Sequence, residues 1–498
     1  MELDLSKPDA RWSTVRSRFS ENNDWHDFPL FAIPLRQRAT TARLDIRHYF
    51  WNHGGAVNAK KACGCALRFI AIGGLFLTPG WCQKITSLER ERAQSMLQEI
   101  ASDVRKHYYD SKFHGIDWES KTREMKLKIE QADTSNRALS EVAALLDSLN
   151  DSHTFFLPPQ HAYRHDYGWE AQLIGDRCYV VRVRPGSDAE IKGLKPGDEV
   201  ISINGFAPTK DNFRKMEYAF NTLRPQPELH LALRDPAGKE RTIETVTKFT
   251  ETKRIHDMTS GSGGIDVWDL IRDRENEQHD TRARMVETGE ELMILKFPGF
   301  FFNESEIDSM ISKARKHNAL ILDLRGNPGG SVETLKYLLG GMFEKEVKIG
   351  DRVGREEHKP MATRARGRTF DGKLVVLVDS RSASASELFA RVVQIEKRGI
   401  VLGDLSSGSV MEAKRYSYKS GMDTVVFFGA SITEADIVMT DGKSLERVGV
   451  TPDQIVLTTA ADLAAGRDPV LARAAETLGV KLSPETAGKM FPYEWPAR

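Results

Sequence analysis

Residues 374–388 read Leu374-Val375-Val376-Leu377-Val378-Asp379-Ser380-Arg381-Ser382-Ala383-Ser384-Ala385-Ser386-Glu387-Leu388. An unbroken apolar run, a serine-rich turn and a renewed apolar stretch predict a strand, a loop and a helix start. A strand apolar at every position is covered on both faces, which implies parallel strands joined by helical crossovers. A hydroxyl at such a junction lies beside the unpaired backbone N–H groups of the first helical turn. Those donors can hold a developing oxyanion. The plainer reading is capping, because serine is a favoured N-cap and Ser384 or Ser386 can do only that.

Working outward, strands are predicted at Leu292–Phe297, Ala319–Leu324, Leu374–Val378 and Ile400–Leu402. Helices fall between them, around Glu306–His317, Glu333–Phe343 and Ser386–Glu396. Residues 251–460 thus form an α/β core, with 251–290 read as a polar surface excursion containing Ser260-Gly261-Ser262-Gly263-Gly264. A second glycine-bearing loop, Asp323-Leu324-Arg325-Gly326-Asn327-Pro328-Gly329-Gly330, closes another strand. Glycines there let backbone N–H groups approach a ligand closely, or they make a plain strand-to-helix turn. Residues 83–160 carry Leu97, Ile100, Val104 and Tyr108 at helical spacing and form an N-terminal helical domain. That domain ends in the polar turn Asn150-Asp151-Ser152-His153-Thr154 before Phe155-Phe156-Leu157 and Pro158-Pro159. Residues 461–498 read as a helical tail, with Asp468-Pro469 before Val470–Leu478. Trp169, Trp268 and Phe300-Phe301-Phe302 line either a cleft or the core.

Residues 165–250 change character. Alternating strands appear at Cys178–Val183, Glu199–Asn204 and Leu229–Leu233, with Asn204-Gly205 as a tight turn. Between the first two lies Pro185-Gly186 through Pro196-Gly197-Asp198, a turn, a short helix and a second turn. This pattern resembles a PDZ domain, and the resemblance implies binding of an extended peptide or chain end by strand addition. Tyr167-Gly168-Trp169-Glu170-Ala171 stands where such domains carry their binding loop, which makes Gly168, Trp169, Glu170 and Ala171 candidate substrate contacts. Glu170 stands where a small residue is common, and its charge opposes a terminal carboxylate. An intramolecular lid is therefore the alternative role.

The chain has 498 residues, and 71 basic against 71 acidic side chains leave no net charge. That argues against a nucleic-acid partner, for which a basic surface supplies most of the affinity. No apolar run reaches the roughly 18 to 20 residues of a membrane span. Lys60-Lys61, the apolar Ala66–Leu77 and the turn Thr78–Cys82 resemble the three parts of a secretory signal over residues 57–82. The expectation is a periplasmic or secreted protein, with residues 1–56 a mis-called extension and translation starting near Val57. If the segment is no signal, it is a buried helix or strand of a cytoplasmic protein. Four cysteines, Cys63, Cys65, Cys82 and Cys178, make no disulfide framework, and Cys63 with Cys65 is a weak ligand set. No metal or other cofactor is expected.

Taken together, Asp323-Leu324-Arg325-Gly326-Asn327-Pro328-Gly329-Gly330, Ser382–Glu387 and Gly449-Val450-Thr451-Pro452-Asp453 behind a PDZ-like domain resemble the tail-specific (C-terminal-processing) serine peptidases and their tricorn-core relatives. The resemblance covers roughly residues 90–460 and implies an α/β fold, with a crotonase-like peptidase core, an N-terminal helical region and an inserted, mostly β PDZ domain. It makes Ser384 the nucleophile, with oxyanion donors at the N–H of Ala385 and of Gly329 or Gly330. The processing branch activates its serine with a lysine, but Gly403–Ser409 places Ser409 at that position. A hydroxyl is no general base, and an unassisted serine is inert at neutral pH. The tricorn branch uses a serine–histidine pair at the end of the helical region and a glutamate before the Gly-Val-x-Pro-Asp run. Those positions here are Ser152-His153 and Glu446. The resemblance implies that His153 takes the proton of Ser384, Ser152 orients the imidazole and Glu446 polarises Ser152, a logic shared with other serine hydrolases. Without it His153 reads as a turn histidine, and Lys414 and Lys419 remain displaced base candidates. The expected function is an exported serine endopeptidase acting on peptides or unfolded chains. The alternatives are a non-catalytic binder of peptides or hydrophobic ligands on the same fold, and a hydrolase of small amides or esters.

Overall fold

The computed structural model describes residues 84–161, 163–251, 282–364, 367–421 and 425–495. The signal-like segment 57–82, residues 1–56, Trp268 and the glycine-rich stretch 260–264 lie outside the described residues. The described residues from Ser87 onward belong to one compact unit.

Three helices open this unit: α1 (Ser87–His107), α2 (Trp118–Glu130) and α3 (Ser135–Asp147). Their apolar faces meet through Leu97, Ile100, Val104, Ile129, Val142 and Leu146, all buried. Thr134 caps α3, accepting the N–H of Arg137 at 3.2 Å. The chain then leaves α3 through Ser152-His153 into the short strand β1 (Phe155–Leu157).

A pairing of β2 (Tyr163–Asp166) with β8 (Lys248–Glu251) brackets the PDZ domain at its two ends. Between them run β3 (Trp169–Ile174), β4 (Arg177–Val183), helix α4 (Asp188–Ile191), β5 (Glu199–Ile203), helix α5 (Phe213–Tyr218), β6 (Glu228–Arg234) and β7 (Glu240–Val246). The five long strands form an antiparallel sheet in the order β3-β4-β5-β6-β7. Leu173, Val180, Val200, Leu229, Leu231 and Leu233 point inward, alternating with polar residues as a one-sided sheet requires. At Gly168 (φ +75°) an added Cβ would sit 2.4 Å from that of Ser187, so only glycine fits.

The core sheet has the order β18-β15-β14-β11-β10-β9, from β9 (Arg284–Thr288), β10 (Leu292–Lys296), β11 (Ala319–Asp323), β14 (Lys373–Val378), β15 (Ile400–Gly403) and β18 (Gln454–Ile455). Every pairing is parallel except that of β9 with β10. Strand β9 lies in the region read from sequence as a surface excursion; Met285 and Val286 give it enough apolar contact to close the sheet edge. Alternate residues of β10, β11 and β14 enter two different clusters. Met293, Leu295, Leu320, Leu322 and Val376 face helices α6 (Glu304–Ala314), α7 (Val332–Gly340) and α8 (Ala385–Ile395). Leu292, Ile294, Ile321, Val375 and Leu377 face α10 (Pro469–Thr477) and α11 (Pro484–Ala487), which follow the short α9 (Ala460–Ala465). Both faces are covered, which is why these strands are apolar at every position.

A second sheet packs beside the first. It contains β1, β12 (Lys348–Gly354), β13 (His358–Ala362), β16 (Met411–Ser420) and β17 (Val426–Met439), all antiparallel. Strand β1 lies on β17 with Phe156 opposite Ala430, which carries the end of the helical region to the peptidase core. No described helix is long and apolar enough to cross a membrane.

Candidate active site

Three loops converge at the carboxyl ends of β11, β14 and β15, where open parallel sheets hold their ligands. The first begins with a buried charge cluster. Asp323, 1% exposed, accepts from Lys296 and Arg325, and Arg325 forks onto Asp468 with two bonds of 2.9 and 2.8 Å. Burial pushes the Asp323 carboxyl upward, but those cations outweigh it and hold the group well below its usual range. The Asp-Leu-Arg part of the motif is therefore structural: it ties the N-cap of α10 to a strand end. Asn327 then accepts the N–H of Gly329 on its side-chain oxygen at 2.8 Å.

The second loop carries four serines. Ser380 donates to the carbonyl of Leu173, Ser382 to that of Leu324 and Ser386 to that of Asn327. Ser384 is the N-cap of α8 and forms a capping box with Glu387. Ser384 also has φ +57° and ψ −119°, a region that costs a non-glycine residue about 1–3 kcal/mol and recurs at functional sites. Three contacts hold it there. Its N–H reaches the Ser409 carbonyl at 2.7 Å and the Glu387 carboxylate at 3.0 Å. Gly329 presses on its Cβ so closely that an added methyl would sit 2.6 Å away. The Gly329 N–H, expected as an oxyanion donor, is spent on Asn327, whereas the N–H groups of Gly330 and Ala385 donate to no group among the described residues.

Glu387 was missed from sequence, although its position three residues after Ser384 is the signal of a capping carboxylate. It is fully buried and also accepts from Ser406 Oγ, Gly408 N–H and Ser409 N–H. One carboxylate thus fixes the Ser384 turn to the third loop, Gly403–Ser409. Ser409, at the position of the processing branch's lysine, does abut Ser384, but its own hydroxyl bonds Ser407. Lys414 and Lys419 are exposed on β16.

His153 comes from the α3–β1 turn. Asp151 accepts the N–H groups of His153 and Thr154 and the hydroxyl of Thr433, which clamps the turn to β17. Ser152 Oγ lies 2.7 Å from His153 Nδ1 and 2.8 Å from Glu446 Oε2. Glu446 also accepts the N–H of Ser152 at 2.8 Å and of Val410 at 2.9 Å. A carboxylate only accepts, so Ser152 donates to Glu446 and accepts from Nδ1–H. Nε2 of the neutral ring then carries a lone pair. Burial and the nearby Arg214 hold the imidazole down at about 4, against a smaller upward pull from Asp151. Ser384 joins this group through Ser409, whose neighbour Val410 bonds Glu446. Ser384 Oγ and His153 Nε2 themselves are not in hydrogen-bond contact.

The PDZ domain leans on the same loops. The outer edge of β3 is covered: Arg381 donates to the Ala171 carbonyl at 2.5 Å, and Gln172 donates to Asp379 at 2.8 Å. Gly175 N–H reaches Asp404 at 2.7 Å. Of the candidate contacts, Gly168 accepts from Arg184, Trp169 pairs with Val183, and Glu170 bonds Arg182 and Tyr493. Arg182 and Arg184 lie over the rings of Tyr493 and Trp495, so the C-terminal segment grips this sheet. Phe300 is buried in the core; Phe301 is half exposed. Cys178 is buried, which pushes its thiol upward and leaves it a packing residue. Among the described residues no group of three or more His, Cys, Asp or Glu is placed to hold a metal ion.

Residues 292–456 match the model of peptidase family S41, residues 164–233 that of the PDZ domain and residues 89–142 that of the tricorn protease C1 domain. The core domain matches peptidase family S41. The chain is similar to the carboxyl-terminal-processing protease of Picosynechococcus, at 24% identity over 393 residues covering 73% of this chain and 83% of the relative. It is 25% identical to the tail-specific protease of Haemophilus influenzae over 328 residues, 61% of this chain and 43% of that longer protein. Its fold is like that of mature CPAF complexed with lactacystin, with a TM-score of 0.57, 14% identity and coverage of 76% and 96%.

Proposed function

We propose that this chain cleaves peptides or unfolded polypeptides through Ser384, with His153 as general base and Ser152 and Glu446 as its orienting pair. His153 Nε2 takes the hydroxyl proton as Ser384 Oγ bonds to the scissile carbonyl carbon. The carbonyl oxygen becomes an oxyanion held by the N–H groups of Ala385 and Gly330. The imidazolium returns its proton to the leaving amine, and water then releases the acyl group by the same steps. The observation that carries this reading is the Glu446–Ser152–His153 relay, anchored through Val410 and Ser409 to a serine held at positive φ. The missing Ser384–His153 bond is compatible with it, because such contacts tighten when substrate binds. The PDZ strand β3 receives the substrate chain once Ser380 and Arg381 leave its edge. Export rests on residues 57–82 alone, and N-terminal sequencing of the natural product tests it.

A fluorophosphonate probe tests the chemistry. Ser384 is expected to label, with labelling abolished in Ser384→Ala and reduced at least about 100-fold in His153→Ala. Labelling unchanged by His153→Ala overturns the assignment. Casein turnover against small-ester turnover separates an endopeptidase from an esterase.

A further inference from the structure

Near its C-terminal end the chain runs from the core onto the PDZ domain. Met490 and Phe491 pack against the apolar cluster between the core sheet and α10. Arg284 of β9 donates to the Pro492 carbonyl at 2.7 Å. Two residues after Phe491 the chain lies on the PDZ sheet. The Tyr493 hydroxyl donates to Glu170 of β3 at 2.7 Å, and the Arg182 guanidinium of β4 covers the Tyr493 ring at 3.8 Å. Arg184, also of β4, covers the Trp495 ring at 4.5 Å. Both separations are within the roughly 6 Å over which an aromatic face holds a cation. Helix α9 touches the domain at a second place: at Gly197, in the loop before β5, an added Cβ would sit 2.4 Å from the Ala460 carbonyl.

The residue that receives Tyr493 also belongs to the closed edge of the PDZ sheet. Glu170 accepts from Arg182 at 2.6 Å and from Tyr493, and it faces Arg381 of the serine loop at 3.8 Å. Arg381 lies in the same loop as Ser384, donates to the Ala171 carbonyl at 2.5 Å and pairs with Glu217 at 3.1 Å. Ser380 donates to the Leu173 carbonyl. Ala171 and Leu173 are alternate residues of β3, so their carbonyls leave the same edge of the sheet. Those carbonyls are the acceptors an added strand uses. The serine loop occupies them, and they come free only when the PDZ domain moves off that loop. Such a movement pulls on the short link between Phe491 in the core and Tyr493 on β3.

We propose that residues 493–495 are an autoinhibitory strap, which holds the PDZ domain on the serine loop and keeps the β3 edge closed to a substrate chain. The proposal rests on the reading that β3 receives the substrate. The strap acts on affinity, because a binding-competent state populated only as a fraction weakens apparent binding by that fraction. A polypeptide that pairs with β3 must displace Arg381 and Ser380, and releasing the strap makes that displacement easier. A small ester reaches Ser384 without strand pairing, so the strap leaves its turnover unchanged.

The test is made in the full chain. Tyr493→Phe removes one hydroxyl and keeps the ring under Arg182, whereas Tyr493→Ala with Trp495→Ala removes both rings. A fluorogenic casein peptide is expected to show a KM lowered about 2- to 5-fold in the first variant and about 5- to 30-fold in the second, with kcat unchanged. Those factors follow from loss of one hydrogen bond to a carboxylate and of two cation–π contacts. Turnover of p-nitrophenyl acetate and fluorophosphonate labelling of Ser384 are expected to match the wild type, and the labelling reports that each variant is folded. Where the double variant loses labelling, Tyr493→Phe decides. Binding of the same peptide to Ser384→Ala, read by fluorescence anisotropy, is expected to tighten by the same factors when the tail substitutions are added. A KM and a binding constant that stay unchanged or worsen in labelled variants overturn the strap. A gain shared equally by ester and peptide also overturns it, because the tail then acts on the nucleophile and not on the β3 edge. Absent labelling in the wild type overturns the Ser384 reading instead, and the anisotropy measurement still decides the strap.

Discussion

Replacing Glu446 by glutamine removes a charge and, in one of the two amide orientations, reverses a hydrogen-bond chain. The carboxylate accepts three bonds, from Ser152 N–H (2.8 Å), Ser152 Oγ (2.8 Å) and Val410 N–H (2.9 Å). An amide offers one accepting oxygen and one donating nitrogen. With its nitrogen at the Oε1 position, it faces the Ser152 N–H and keeps the Ser152–His153 polarity, but the imidazolium formed on proton transfer loses the nearby anion that stabilises it. With its nitrogen at Oε2, it opposes Val410 N–H and donates to Ser152 Oγ. Ser152 then turns its own proton toward His153 Nδ1, which leaves the ring protonated at Nε2 and unable to accept from Ser384. Either way one backbone N–H is orphaned, at a cost of about 1–3 kcal/mol. Glu446→Gln is expected to lower kcat/KM by about 10²–10⁴, the range that general-base catalysis supplies. The assays are peptide turnover, fluorophosphonate labelling and the imidazole nitrogen shifts of His153 by NMR. A folded variant that keeps more than a tenth of wild-type kcat/KM, with Nδ1 still protonated, refutes the relay.

Gly329→Ala puts a methyl 2.6 Å from the Ser384 Cβ at φ +93°; loss of labelling and about 1–3 kcal/mol of stability are expected, read by probe and urea midpoint. The His153 pKa falls from 6.5 to about 4 on folding, so the stability this ring contributes is complete above pH 6.5 and lost as pH falls toward 4. Up to about 3 kcal/mol is at stake, and His153→Gln is expected to flatten the fall in urea midpoint across that window. The same depression keeps the imidazole neutral, so peptidase activity is expected to persist at pH 5, read from the pH–rate profile. Arg381→Ala frees the Ala171 carbonyl and Glu217, and is expected to lower stability by about 1–3 kcal/mol and to speed limited proteolysis between the PDZ domain and the core.

Much of the core was legible because its strands are apolar at every position and its helices carry one apolar stripe. The second sheet was not. Strand β17 buries a continuous run that includes Ser431 and Thr433, and the Thr433 hydroxyl is satisfied by Asp151 and Thr154 rather than by hydrophobic contact. A polar residue made burial-tolerant by a distant partner breaks the alternation on which pattern reading depends. Strand β16 alternates weakly, since Arg415, Ser417 and Lys419 on one side are solvated and Lys414 stands exposed on the other. Glu387 escaped notice for a related reason: a carboxylate in a first helical turn reads as an exposed cap, and only the folded loops show it enclosed by four donors.

What the sequence by itself determined is local. It set the strand–turn–helix around Ser384, the glycine-bearing turn after β11 and the absence of lysine at 409, because these follow from neighbours within a few residues. Family resemblance named Ser152, His153 and Glu446 as candidates, but naming sets no distance. Only the tertiary structure joined Ser152 to Glu446 across 294 positions, occupied the Gly329 N–H and brought Arg214 of the PDZ helix to Ser407. Hydrogen bonds act over about 3 Å, so contacts between chain-distant groups depend on where two sheets and a docked domain carry their loops.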